Sequence, residues 1–306
     1  MNVGWDKVSF GSTGLAVSRL AVASSYGVGE ADVRRAFDRG INFLFWGSRR
    51  RAGFGRAIKS IARTRRDEMV LAVQSYSRVA WMVRPSVEIA MRRAGVEQVD
   101  LLVLAWWHDA PAEKILDAAL ELQRTGKVKH VLVSSHHRPT FQRIVKDPRF
   151  GGVMLRYSAA HPGAEHEVFP YLDALGDGDA KPNPKTNPKP KPGVLSFTAT
   201  RWGKLLDPAL TPKDEATPRA SDCYRFALSN PYVHSTLIGP RDGRELDEAM
   251  TALDRGAMTE DELAWMKRVG VAVRRDAPTG SPVDTLDKLL ARARGVFGSS
   301  PPQLNA

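Results

Sequence analysis

The side chains in this sequence that can do chemistry gather at, or just after, the ends of short apolar runs. Tyr76 and His108 stand at such positions, and both can serve as a general acid or base. Arg50, in SRRRAGFG, cannot, because a guanidinium stays protonated at any working pH; it can instead hold an anion or a developing oxyanion. Arg156 and Tyr157 close another run, and Phe45, Trp46, Trp106 and Trp107 close two more. Arginines at the rim of such an aromatic cup suit a small-molecule ligand that is anionic or aromatic. His136 and His137 invite a metal reading. Neighbours in an extended chain point opposite ways, however, and no carboxylate or cysteine stands beside them at ligand spacing, so no metal is expected. His161 and His166 read as solvated residues.

These residues need a scaffold, and the hydrophobic period supplies one. Short β-branched or apolar runs predict strands at Leu20 to Ser24, Ile41 to Phe45, Val70 to Gln74, Leu101 to Ala105, Val131 to Ser134, Gly152 to Arg156, Val194 to Thr198 and Ser235 to Gly239. Between and after them, amphipathic stretches predict helices at Ala31 to Arg39, Phe54 to Arg63, Ser86 to Ala94, Glu113 to Arg124, Thr140 to Val145, Glu165 to Leu175, Ala220 to Leu228 and Arg244 to Leu253. Strand then helix, eight times, predicts an α/β fold closed as a (β/α)8 TIM barrel. KVSFGSTGLAVSRL predicts an N-terminal β-hairpin across the barrel's N-terminal end. Extra C-terminal helices follow, one opened by the capping box Thr259 to Glu262 and running to about Val269, another starting near Ser281. Residues 1–275 thus form one barrel domain, with 176–193 as a Pro/Lys-rich loop insertion and 276–306 as a C-terminal helix and loose tail. Tyr76 lies two residues past the third strand and His108 three past the fourth, both on the face where barrels of this kind carry their sites.

Charge and composition narrow the classes of function. The 45 Lys+Arg against 34 Asp+Glu give a net charge of +11, with one block from Arg49 to Arg66 that contains no acid. No zinc-finger, helix-turn-helix or RNP-like signature accompanies that charge, so no nucleic-acid partner is expected. The longest strongly apolar stretch, Leu101 to Trp107, falls far short of the roughly 20 residues that span a bilayer, and no membrane partner is expected either. The opening MNVGWDKVSFG lacks the apolar core of a secretion signal. A single cysteine, Cys223, can form neither an intrachain disulfide nor a zinc cluster, and the expected compartment is the cytoplasm.

Several stretches, in this order and at these spacings, resemble the aldo-keto reductase family over nearly the whole chain. They are GSTGLAVSRL at the hairpin, RAFDRGINF entering the second strand, VDLLVL, TGKVKHVLVSS, GVLSFTATRWGKLL, and LSNPYVHSTLIGPRDGRELDEAM around the eighth strand. The resemblance implies a barrel with its site at the C-terminal ends of the strands, NADP(H) as cofactor, and hydride exchange with a carbonyl or alcohol. In that family a tyrosine delivers the proton, a lysine paired with an aspartate lowers its pKa, and a histidine orients the substrate. Carried over residue by residue, the aspartate falls on Phe45, the tyrosine on Arg50, the lysine on Gln74 and the histidine on Ala105. All four are replaced. The pocket this implies comprises Phe45, Trp46, Arg50, Gln74, Ala105, Trp106, Arg156 and Tyr157, with Tyr76 and His108 as candidates for the missing acid.

The implied cofactor set is thinned as well. It keeps Ser134, Gly239 and Arg241, the last facing an adenosine 2′-phosphate in the family; Ser135 replaces an asparagine, and Met154, Glu245 and Ala249 replace two glutamines and an asparagine. Three readings follow: a divergent NADP(H)-dependent oxidoreductase with weak or absent ordinary activity, a pseudoenzyme kept as a binding or regulatory module, or an enzyme repurposed to another reaction.

Overall fold

The computed structural model describes residues 5–47, 50–175 and 191–276. The short apolar runs become the staves of a closed barrel because each is apolar on both faces, one toward the barrel interior and one toward the helices. After the two short strands of the hairpin, β1 (Val8–Ser9) and β2 (Ala16–Val17), come β3 (Leu20–Ala23), β4 (Phe43–Trp46), β5 (Val70–Ser75), β6 (Val99–Leu104), β7 (Val128–Ser134), β8 (Gly152–Arg156), β9 (Gly193–Phe197) and β10 (Ser235–Ile238). The last eight pair in parallel, in chain order, and β10 closes on β3. The hairpin delivers Phe10 into the N-terminal end, where its fully buried ring meets Phe43 edge-on at 5.9 Å. That ring explains a glycine: a Cβ at Gly193 would lie 2.3 Å from it.

The helices are α1 (Glu30–Asp38), α2 (Ala52–Arg65), α3 (Ala80–Ala94), α4 (Glu113–Arg124), α5 (Phe141–Ile144), α6 (Ala164–Glu167), α7 (Phe169–Asp173), α8 (Ala220–Leu228), α9 (Gly243–Arg255) and α10 (Glu260–Asp276). Two depart from expectation for reasons set by proline. The stretch predicted as one helix from Glu165 splits into α6 and α7 at Val168, because Pro170 cannot continue a helix over the His166 carbonyl. α3 starts at Ala80 rather than Ser86 and carries Pro85 inside it, losing one hydrogen bond to the Trp81 carbonyl. The segment 176–190, the helix predicted from Ser281 and the tail lie outside the described residues. Among the described residues, no helix is long and apolar enough to cross a membrane.

α10 bears on the site because it braces the loops at the C-terminal mouth. Gly270 packs against the Ala159 carbonyl, and Arg201 donates to the Val273 carbonyl at 2.7 Å. Its first turn is tied to α8 by Arg225, which is buried and forks onto both carboxylate oxygens of Glu262 at 2.5 and 2.7 Å. The Arg225 guanidinium holds the Glu262 carboxyl well below the usual range, at about 2. The group's pKa is depressed on folding, so its contribution is present above the ordinary carboxylate value and is lost as pH falls toward 2. Glu262→Gln is expected to cost about 1–3 kcal/mol, since it removes the carboxylate fork from buried Arg225 and leaves Asp222, at 3.8 Å, as its remaining counter-charge. Urea unfolding at neutral pH checks this, and a loss under about 0.5 kcal/mol, the size expected of a surface change, would contradict it.

Candidate functional site

Strand pleating decides which side chains enter the mouth. Along β4, β5, β8 and β9 the interior takes Phe43 and Phe45, Ala72 and Gln74, Met154 and Arg156, and Leu195 and Phe197, while the residues between them face the helices. Phe45 and Gln74 are both buried and lie side by side, for a Cβ at Gly47 would come within 2.4 Å of the Phe45 ring and 3.1 Å of Gln74 Oε1. Arg50 folds back over them and donates from its guanidinium to the Gln74 carbonyl. Its Nε is buried with no hydrogen-bond partner among the described residues. Burial, with the charge of Arg93 added, lowers its pKa, and a guanidinium remains charged even so. Tyr76 donates to Gln74 Oε1 at 3.1 Å, and buried Ala105 is fixed by its N–H on the Ser75 carbonyl at 2.9 Å. Phe45, Arg50, Gln74 and Ala105 therefore converge on one mouth, with the Tyr76 hydroxyl among them.

A chain of rings crosses this mouth. Trp106 has a positive φ of 56°, a conformation that costs a non-glycine residue roughly 1–3 kcal/mol. The turn lays its ring edge-on to Tyr76 at 4.9 Å and to His136 at 6.2 Å. His136 meets Phe197 at 5.6 Å, and its Nδ1 accepts from Arg156 at 2.8 Å. Arg156 in turn lies over Trp202 at 5.1 Å. Trp202 comes from a loop after β9 in which Thr198, Arg201 and Trp202 all take positive φ, the least favourable being the β-branched Thr198. His161, edge-on to Trp202, is driven down to about 3 by burial first and then by Arg156, Arg201, Arg138 and Arg274. It stays neutral, and its surroundings are strongly electropositive.

Four expected site residues lie elsewhere. Trp46 follows Phe45 by one residue and so faces outward, buried under α2 where its ring would touch a Cβ at Gly55 at 2.7 Å. Tyr157 follows Arg156 and faces outward likewise. Its hydroxyl donates to Glu165 at 2.6 Å and accepts from Asn230 at 3.2 Å, and burial followed by Glu165 pushes its pKa up, so its proton stays on the oxygen, committed to Glu165. Trp107 packs against the outer core with Arg78 over its ring at 4.0 Å. His108 is exposed on the rim and stacks on His137 at 4.3 Å, away from the mouth, while His136 turns inward. Conversely, His136, Phe197 and Trp202 belong to the mouth without having been read as its lining. Phe197 could have been found by counting in twos from Gly193; Trp202 gave no local signal, since its placement depends on left-handed backbone without glycine.

The polar groups implied for a cofactor are all engaged within the chain. Ser134 Oγ accepts from the Trp106 N–H at 3.1 Å, and Ser135 Oγ closes a turn with His137. Gly239 lies beneath the Tyr26 ring, 2.5 Å from where its Cβ would stand. Arg241 donates from its backbone N–H and its Nε to Glu245, at 2.8 and 2.7 Å, and its side chain is solvent-exposed. Among the described residues, no group of three or more His, Cys, Asp or Glu could hold a metal ion.

Comparison with known proteins supports what this geometry outlines. Residues 9–178 match the Aldo/keto reductase family. An uncharacterized oxidoreductase, YrpG, of Bacillus subtilis (strain 168) is 24% identical over 296 residues, covering 80% of this chain and 90% of that protein. The fold is similar to aldo-keto reductase AKR11C1 from Bacillus halodurans in its holo form, with a TM-score of 0.69 at 18% identity over 86% of this chain and 96% of that one. It is equally similar, at 16% identity, to an aldo/keto reductase from Klebsiella pneumoniae solved in complex with NADP and acetate, with a TM-score of 0.69 over 87% of this chain and 96% of that one.

Proposed function

Because the chain belongs to the aldo/keto reductase family, we propose that it is a divergent, cytoplasmic NADP(H)-binding oxidoreductase whose ordinary carbonyl reduction is weak or absent. One observation carries this reading: the position at the mouth that corresponds to the family's proton donor holds Arg50, folded inward onto the Gln74 carbonyl. A positioned general acid is worth about 10²–10⁴ in rate, and an arginine cannot act as one.

The residues present can accept the dinucleotide. Arg241 and Arg244 face solvent at the N-terminus of α9, where a helix favours an anion. The Arg241–Glu245 pair is solvent-exposed and therefore weak, so a phosphate can displace the carboxylate. Ser134 accepts one bond and keeps its own hydrogen to donate toward the nicotinamide end. When bound, the cofactor supplies hydride exchange with a carbonyl or alcohol. The chain's own contribution is to hold and orient: Phe45, Trp106 and Phe197 wall the mouth, Arg50 draws the ligand's oxygen, and Tyr76 is the remaining hydroxyl placed to deliver a proton. The engagement of Ser135, Gly239 and Arg241 within the chain favours a second reading, a pseudoenzyme that uses the mouth to bind a small molecule without turnover.

In both readings the ligand is anionic or carries an electron-rich oxygen. Arg50→Met is expected to weaken carboxylate- or phosphate-bearing ligands by about tenfold or more, the loss of a charge-assisted hydrogen bond, while neutral aromatic ligands are unaffected. Thermal shift with NADP⁺ and a set of anionic metabolites reads this out, with Arg50→Lys retaining most of the effect. Equal stabilisation of parent and Arg50→Met by every ligand would leave Arg50 without a binding role.

A further inference from the structure

Seven large apolar side chains stand exposed among the described residues, and four of them, Val79, Trp81, Met82 and Ile89, lie on or beside α3. Trp81 is the most exposed of all, at 73%. Single exposed apolar residues are ordinary on a protein surface, whereas a group on one helix marks a contact surface. α3 also carries Arg92 and Arg93, and α2, which packs beside it, carries Lys59 and Arg63. These four cations are exposed and, among the described residues, join no ion pair. Their neighbours Arg56, Arg65, Arg66 and Arg84 each hold a carboxylate. The basic block of the sequence is therefore neutralised in part, and its Lys59 and Arg63, with Arg92 and Arg93 of α3, leave, among the described residues, unpaired charge on the helix that carries the apolar side chains and on the one beside it.

We propose that the α2/α3 face docks on an anionic phospholipid surface, with Trp81 and Met82 entering the headgroup layer and Lys59, Arg63, Arg92 and Arg93 lying against lipid phosphates. The charge decides among occupants. A second copy of the chain would bring the same four cations against this face and be repelled. A nucleic acid supplies phosphates, and bases for Trp81 to stack on, but nothing for Val79, Met82 and Ile89 to pack against. An anionic bilayer surface supplies both an apolar layer and phosphates, and an aromatic residue with flanking cations is the composition that binds there. The lack of a spanning helix among the described residues bears on crossing a bilayer, not on lying against one.

The test is sedimentation of the full chain with vesicles of phosphatidylcholine alone and of phosphatidylcholine mixed with phosphatidylglycerol. Binding to the mixed vesicles is expected to exceed binding to the neutral ones by about tenfold or more and to fall as salt is raised. Trp81→Ala, and separately the pair Arg92→Gln with Arg93→Gln, should each weaken it by at least about fivefold. Lys213→Gln, an exposed charge outside this face, should leave it unchanged. Equal binding to both vesicle types, or indifference to Trp81→Ala, overturns the proposal. So does a single-stranded oligonucleotide that binds with the same dependence on Trp81, or a dimer in sedimentation velocity that Trp81→Ala dissolves.

Discussion

With NADPH and a panel of aldehydes, ketones and quinones, turnover is expected at least about 10²-fold below that of a family member whose proton donor is intact. The size of the effect follows from what occupies the mouth. Reduction of a carbonyl needs a proton at the oxygen as hydride arrives at carbon. In the proposed reading the donor position is held by Arg50, a guanidinium bonded to the Gln74 carbonyl. It can stabilise negative charge on oxygen, but it does not release a proton at any working pH. On the proposed correspondence neither the lysine nor the aspartate that would tune a phenol is there, since Gln74 and Phe45 take those places. Ordinary reductase rates on any substrate of the panel would show that another group delivers the proton efficiently and that the argument from Arg50 fails.

The turnover that remains is expected to depend on Tyr76. Tyr76→Phe should lower it by about 10²-fold or more, while His108→Ala changes it less than about twofold. Sequence placed the two residues on equal terms, each shortly past a strand end. The structure separates them. The Tyr76 hydroxyl is bonded to Gln74 Oε1 and its ring is steadied by Trp106, inside the mouth and beside Arg50. His108 is exposed and stacked on His137 at the outer rim. A catalytic role should lower kcat in Tyr76→Phe with KM nearly unchanged, whereas damage to packing alone would raise KM as well. A variant as active as the parent would exclude Tyr76.

What could be read from the sequence and what could not divides along a physical line. The alternation of apolar runs with helical stretches is local, and it placed all eight strands and the hairpin, because each run must bury two faces and each helix one. The direction of single side chains at the mouth is not local. Phe45 and Trp46, like Arg156 and Tyr157, were read together as pocket walls, yet in a pleated strand two neighbours cannot both face inward. Strand parity would have removed Trp46 and Tyr157. The pair Trp106 and Trp107 obeys a different cause, the positive φ of Trp106, which no glycine or asparagine announced. Arg50 could be placed near the mouth by its carry-over position, but its return onto the Gln74 carbonyl is a tertiary contact between two strand ends. The start of α3 was not legible either: the stretch predicted from Ser86 begins earlier, at Ala80, and the helix absorbs Pro85.

The most direct test of the account is an equilibrium titration of the purified protein with NADPH, followed by cofactor fluorescence and by quenching of the tryptophans. Trp106 and Trp202 line the mouth, so a cofactor lying across it should report through them. The account predicts saturable binding at submillimolar NADPH that Arg241→Ala weakens, together with the deficit in turnover described above. A titration that stays linear to millimolar NADPH would contradict it, and would leave the mouth as a binding site for some other anion.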